Sequence, residues 1–197
     1  MPQGFENVAE AQLHRDLDLL PDDTYGRALK SWWLAESSLT AVTPNWDIAS
    51  SCTIDGRKGL LLVEAKAHHA ELKADDPCSS RNESNFKQIR QAIREANTAL
   101  NKVRPGWSLT HEHHYQICNR FAWSWKLASL GVPVALVYLG FLRACEMPAP
   151  LADEQSWNMA VRRYSQNVVP DNVWGNTIFV DGVPIYPLIR TREIPLP

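Results

Sequence analysis

The chain has 197 residues, 45% hydrophobic and 21% charged, which suits one globular domain with a sizeable core and excludes a disordered or fibrous chain. Its net charge of −2 supplies no global basic field, so a nucleic-acid partner would need a local basic surface. Cys52, Cys78, Cys118 and Cys145 lie far apart with no Cys-x-x-Cys spacing, which argues against a zinc ribbon or a disulfide framework and for reduced thiols in a cytoplasmic protein. The polar first residues do not read as a signal peptide, and the longest apolar stretch, 132–142, is too short to span a bilayer, so no membrane partner is expected.

Residues 1–20 suit a short helix, with Val8, Leu13, Leu17 and Leu20 loosely periodic. Pro21-Asp22-Asp23-Thr24 is a helix-start signal, because short acceptor side chains satisfy the free N–H groups of a first turn. That helix is predicted to reach about Glu36 and to bury Tyr25, Leu29, Trp32 and Trp33. A first strand is expected over 38–43. Residues 47–54 and 59–66 then read as two strands about Gly56-Arg57, since glycine at the first central position suits a two-residue hairpin turn. With Asp55 and Lys58 flanking that turn, Asp47 lies opposite Lys66 and Ala49 opposite Glu64. Side chains alternate faces along a strand, so Asp47, Glu64 and Lys66 share one face. Opposite Cβ atoms sit about 5 Å apart and diagonal ones about 7–8 Å. Charges at the end of an apolar run such as Leu60-Leu61-Leu62-Val63 are costly to desolvate without a partner. A cross-strand salt bridge would supply one. So would a hard cation, because Mg²⁺ is held by one or two carboxylates, waters and substrate phosphate.

Residues 67–84 are rich in turn-formers and are expected to be a loop beside these charges, either closing over a ligand or only connecting. Of the adjacent His68 and His69, at most one can face the charges. Residues 86–101 are predicted helical, with Phe86, Ile89, Ile93, Ala96 and Leu100 in a stripe, Lys87, Arg90 and Arg94 on other faces, and Pro105-Gly106 as terminator. Between Arg57 and Arg104 ten Lys and Arg stand against six Asp and Glu, a local balance of +4 in a chain of −2. That suits a phosphate-binding surface, with a solvated helix face as the plainer account. His111-Glu112-His113-His114 lacks the i, i+4 histidines of a helical zinc site and reads as a polar helix entrance. The next helix, 115–130, stops at Gly131 and Pro133 and turns Ile117, Phe121, Ser124, Leu127 and Ala128 to the core. Gln116 and Arg120 are i, i+4 and share a face. Residues 132–142 are an unbroken apolar run, as in a central strand covered on both faces and parallel to a neighbour through a crossover. A helix over 153–166 and a hairpin about Asp181-Gly182 follow, the hairpin's prolines confining it to a sheet edge. The expectation is a single α/β domain, 1–197, with a mixed sheet flanked by helices. Its core would span about 22–143, with a C-terminal elaboration over about 150–192.

Asp47, then a turn, then Glu64-Ala65-Lys66 at the end of an apolar strand resembles the PD-(D/E)XK nuclease superfamily, over about residues 36–142. The chain departs from the signature at Pro44, which is three residues ahead of Asp47 rather than adjacent. The resemblance implies a restriction-endonuclease-like core and a metal-dependent nuclease that hydrolyses phosphodiester bonds, with DNA the expected substrate. Mg²⁺ or Mn²⁺ would be held by Asp47, Glu64 and the Ala65 carbonyl. Lys66 would stabilise charge on the phosphate, since lysine is a cation at neutral pH. Glu36 would be an added acidic ligand from the preceding helix, and Gln116 an amide that holds the attacking water or a phosphate oxygen. His68, Arg81, Lys87, Arg94 and Arg120 are candidate nucleic-acid contacts, and restriction-type enzymes of this size often work as homodimers. Two other readings stand beside this one. The fold could be a catalytically inactive nuclease-like binding or accessory subunit, or an interaction protein whose eight tryptophans form a partner surface.

Overall fold

Three of the helices begin where a short polar side chain takes up a free N–H. In the computed structural model, which describes residues 10–15, 17–36, 42–144, 147 and 149–193, Asp22 accepts from Thr24 N–H at 2.7 Å and starts α1 (Asp23–Trp33). Asn82 accepts from Asn85 N–H at 2.9 Å and starts α2 (Glu83–Val103). Asp153 accepts from Ser156 N–H at 2.7 Å and starts α4 (Glu154–Ser165). α3 (Tyr115–Ser129) follows another route, because His114 before it is left-handed (φ 49°) and caps nothing. Its first N–H groups go instead to Asp76: Tyr115 to the backbone oxygen at 2.9 Å and Gln116 to the carboxylate at 3.2 Å. The segment that holds Asp76 is thereby fastened to the start of α3.

From Ile117 to Ala128 only Lys126 of α3 is not buried, so this helix is covered on every side. Trp123 of α3 lies edge-on to Trp32 and Trp33 of α1, with ring centroids 6.0 and 5.6 Å apart. All eight tryptophans are buried, the most exposed being Trp32 at 8%. This overturns the reading of a tryptophan-built partner surface, since such a surface needs its rings in solvent.

The strands are β1 (Ile48–Ile54), β2 (Arg57–Lys66), β3 (Val134–Leu142), β4 (Ile178–Val180) and β5 (Val183–Glu193). They form one mixed sheet in the order β1-β2-β3-β5-β4, antiparallel at both outer pairs and parallel for β2–β3 and β3–β5. Both hairpin turns are Asp-Gly pairs with positive φ: Asp55 50° and Gly56 74°, Asp181 49° and Gly182 77°. That is the turn whose twist matches the flanking strands. The first turn therefore centres on Asp55-Gly56, not on the expected Gly56-Arg57, and Ile54 pairs with Arg57. The register slips by two residues: β1–β2 pairing runs to Ile48 opposite Val63, so one step further Asp47 meets Glu64 rather than Lys66. A slip of two keeps every side chain on its face.

The β4–β5 hairpin lies at one edge of the sheet, as expected, with β4 outermost and β5, which holds Pro184 and Pro187, one place in. The Pro187 carbonyl accepts from Gly175 at 2.9 Å, on the side away from β3, so the missing N–H of Pro187 falls outside the β3 ladder. β3 is not equally covered on its two faces. Val134, Leu136 and Tyr138 are fully buried, whereas on the reverse face Val137 is buried but Ala135 and Leu139 are only half-buried. Of the strand expected over 38–43, residues 38–41 lie outside the described residues and 42–43 are not strand. Of the helix expected over 1–20, residues 1–9 and 16 lie outside them, and Leu17–Leu19 form a single 3-10 turn. α4 sits on β3 through Trp157, whose ring covers Gly140 so closely that an added Cβ would lie 2.7 Å from it. Its indole N–H donates to the Tyr138 carbonyl at 3.2 Å.

Candidate active site

Where β1 begins, the chain bends at Asp47 and leaves the ladder. Backbone groups alternate sides along β2, so the Ala65 N–H is the next donor facing β1 after Val63. Its expected acceptor, the Trp46 carbonyl, is taken by Ala11 N–H at 3.0 Å, and Trp46 N–H returns a bond to Ala11 at 2.9 Å. The Asp47 carboxylate fills the vacancy and accepts from Ala65 N–H at 2.7 Å. The Ala65 carbonyl points to the same edge as its N–H, so it too faces Asp47. Burial, then the charge of Glu64, raises the Asp47 pKa. The Ala65 N–H, Lys66 and Arg120 only partly offset this.

Glu64 is buried at 1% exposure and carries two cations. Lys66 bonds its Oε1. Arg120 from α3 places Nε 2.8 Å and Nη2 2.6 Å from its Oε2. Arg120 is fixed in turn: its Nη1 donates to Asn119 Oδ1 at 2.9 Å, and its guanidinium lies 4.3 Å from the Trp46 ring centroid. Burial pushes the Glu64 pKa up, but Arg120 and Lys66 more than offset it and hold the group below the usual carboxylate range. The two carboxylates are thus shifted in opposite directions, because the cations are aimed at Glu64. Beneath them the Trp46 Nε1 and the Tyr138 hydroxyl are buried with no hydrogen-bond partner among the described residues.

These groups open onto one cleft of about 510 Å³ between the end of β2, the start of α3, α2 and the loop after β2. Of the residues singled out in the sequence, it brings together Asp47, Glu64, Lys66, Gln116 and Arg120. The others stand elsewhere. Glu36 is exposed in the turn after α1. His68 lies outside the cleft and pairs with Glu71 at 3.7 Å. Arg81, Lys87 and Arg94 are exposed on and before α2 and do not line it. Sequence reasoning missed Glu10, Asp76 and Asn119, all of which line the cleft. Asn119-Arg120 did carry a signal, as two polar residues set between Ile117-Cys118 and Phe121-Ala122-Trp123.

The oxygen set, two carboxylates and one carbonyl, suits a hard divalent cation. Asp47, Glu64, Lys66 and Arg120 sum to zero charge, so a divalent ion would give this group of four a net +2, with Glu10 and Asp76 on the cleft wall set against it. Among the described residues no group of three His, Cys, Asp or Glu is placed to hold a metal. Magnesium does not require three, since waters and substrate complete its shell. No helix among the described residues is long and apolar enough to cross a membrane. No protein-family model, curated protein or solved structure matches the chain.

Proposed function

We propose that the chain is a metal-dependent nuclease of restriction-endonuclease-like type, hydrolysing phosphodiester bonds in nucleic acid, DNA foremost. The observation that carries this is the convergence of Asp47, Glu64 and Lys66 on one open cleft, with the Ala65 backbone between the carboxylates. Asp47, Glu64 and the Ala65 carbonyl would hold Mg²⁺ or Mn²⁺. Such an ion, when bound, lowers the pKa of a water and offsets negative charge on the phosphate.

The protein's own groups supply the rest. Lys66 has three N–H donors and spends one on Glu64, which leaves donors for a phosphate oxygen or the attacking water. Fixed beside Glu64, it acts as a positive charge for the transition state rather than as a base. Arg120 holds the Glu64 carboxylate in one orientation. Gln116, half-buried at the cleft wall, offers an amide to position water.

Lys66→Ala tests this reading. Purified protein is expected to cut DNA with Mg²⁺ or Mn²⁺ and to stop with chelator. The variant should fold and lose cutting by about 10²-fold or more, the usual cost of removing one transition-state donor. A clean wild-type sample that neither cuts nor binds metal in calorimetry sinks the proposal.

One observation favours a second reading. Both oxygens of Glu64 are already ion-paired, as in a buried salt-bridge cluster that only organises the fold. The chain would then be a nuclease-like binding subunit without catalysis, and the same calorimetric titration separates the two.

A further inference from the structure

A second concavity of about 740 Å³ lies between α4, the turn after β2 and the start of α3. It differs in charge from the candidate active site. Glu10, Asp47, Glu64 and Asp76 line that cleft, whereas no aspartate or glutamate lines this one. Met159 and Arg163, i and i+4 on α4, present one face to it. Met159 is 59% exposed. The Arg163 guanidinium is exposed and has no hydrogen-bond or ion-pair partner among the described residues. Its neighbour Arg162, by contrast, is tied to Asn158 at 2.8 Å and to the Asp171 carbonyl. Behind Met159 the Tyr164 and His114 rings pack together with centroids 5.3 Å apart, and His69 stands at the rim.

The two concavities share a wall. Ala74 and His114 line the groove, while Asp76, Tyr115 and Gln116 line the cleft. The wall is held by His114 N–H to the Ala74 carbonyl and Tyr115 N–H to the Asp76 carbonyl, both 2.9 Å. A strand cut in the cleft therefore has a cationic, ring-lined recess on the far side of one short wall.

We infer that this groove holds an unpaired nucleotide of the strand being cut, its base on Met159 and the half-buried His114 ring, which the buried Tyr164 backs, and its phosphate on Arg163 and His69. The inference rests on the nuclease reading for the identity of the ligand and adds the substrate class: single-stranded or unpaired nucleic acid. A base still paired in a duplex cannot enter such a recess without unstacking and unpairing. Aromatic and apolar walls bind exposed bases with little regard to sequence, while a groove cation tracks the backbone.

The test is anisotropy of a short labelled single-stranded oligonucleotide and of its blunt duplex, measured in chelator and again with Mg²⁺ on a Lys66→Ala background. Single strand is expected to bind at least about tenfold tighter than duplex, and Arg163→Glu and Met159→Glu should each weaken it by about tenfold. Both positions are exposed, so thermal melts should match wild type. Arg27→Glu, the same charge change at an exposed position of α1 outside both concavities, should leave binding within about twofold, as expected for a site with no shared partner. Equal losses at Arg163 and Arg27, or duplex preference, overturns the inference. A protein that cuts but binds unchanged with Arg163→Glu loses the groove and keeps the nuclease reading. One that binds through Arg163 and never cuts keeps the groove and loses the hydrolase.

Discussion

Glu64 and Glu83 are each paired with a lysine, Lys66 and Lys87, yet the two pairs have little else in common. Glu83 and Lys87 stand 81% and 71% exposed on α2, where water screens their attraction and little stability depends on it. Glu64 and Lys66 are 1% and 9% exposed, where desolvation outweighs what one cation returns. The buried carboxylate therefore takes a second cation, Arg120, which is itself fastened to Asn119 and Trp46. Burial decides which charges shape the molecule. The basic excess around α2 is mostly the screened kind, while the site is built from a few dry charges.

Glu64→Gln should break the comparison most severely. It leaves Arg120 and Lys66 buried without their anion, and loss of about 3–5 kcal/mol is expected in urea unfolding. Saturating Mg²⁺ should move stability the other way. An ion held by native Asp47 and Glu64 adds about 2.7 kcal/mol at a hundredfold excess over its dissociation constant, and an unchanged melt in Mg²⁺ and Mn²⁺ would speak for the salt-bridge reading. Asp47→Asn is expected to sit within about 1 kcal/mol of wild type. The amide still accepts the Ala65 N–H, and the charge removed is one the fold disfavours. Metal binding should nonetheless be lost, so stability and metal affinity part company at this residue.

Acid sharpens the contrast between the two carboxylates. Glu64, held below its ordinary value of 4.5, contributes stability that is present above that pH and is lost as pH falls through its folded pKa. Asp47, held above its ordinary 3.8, works in the opposite sense, because the folded state takes up its proton first. Asp47→Asn should therefore steepen the loss of stability on acidification, and Glu64→Gln should flatten it. The smallest effect is reserved for the surface: Lys87→Ala should shift the melting temperature by less than about 2 °C.

Much of this was legible because local rules govern it. The face shared by Asp47, Glu64 and Lys66 follows from strand alternation alone and survives a misplaced turn. The register did not survive, because Asp55 adopts the left-handed conformation that a short polar side chain tolerates, which moves the turn back by one residue. The helix at α2 followed from its apolar stripe and its Pro105-Gly106 stop. Arg120 on Glu64 spans 56 positions, and nothing local announces such a pair. The edge placement of the C-terminal hairpin was legible from its prolines, although which of its strands is outermost was not. Asp76 as a cap for α3 was hidden likewise, since a cap supplied from another segment leaves no mark beside the helix it starts.

Gly140 pairs with Lys66 across β2 and β3, and Trp157 of α4 lies against it where a side chain would stand. A methyl group there would act as a wedge, prising α4 off the sheet and carrying Met159 and Arg163 with it, next door to the lysine. Gly140→Ala is thus the change from which to expect a temperature-sensitive protein, whose two concavities come apart on warming before the rest of the molecule does.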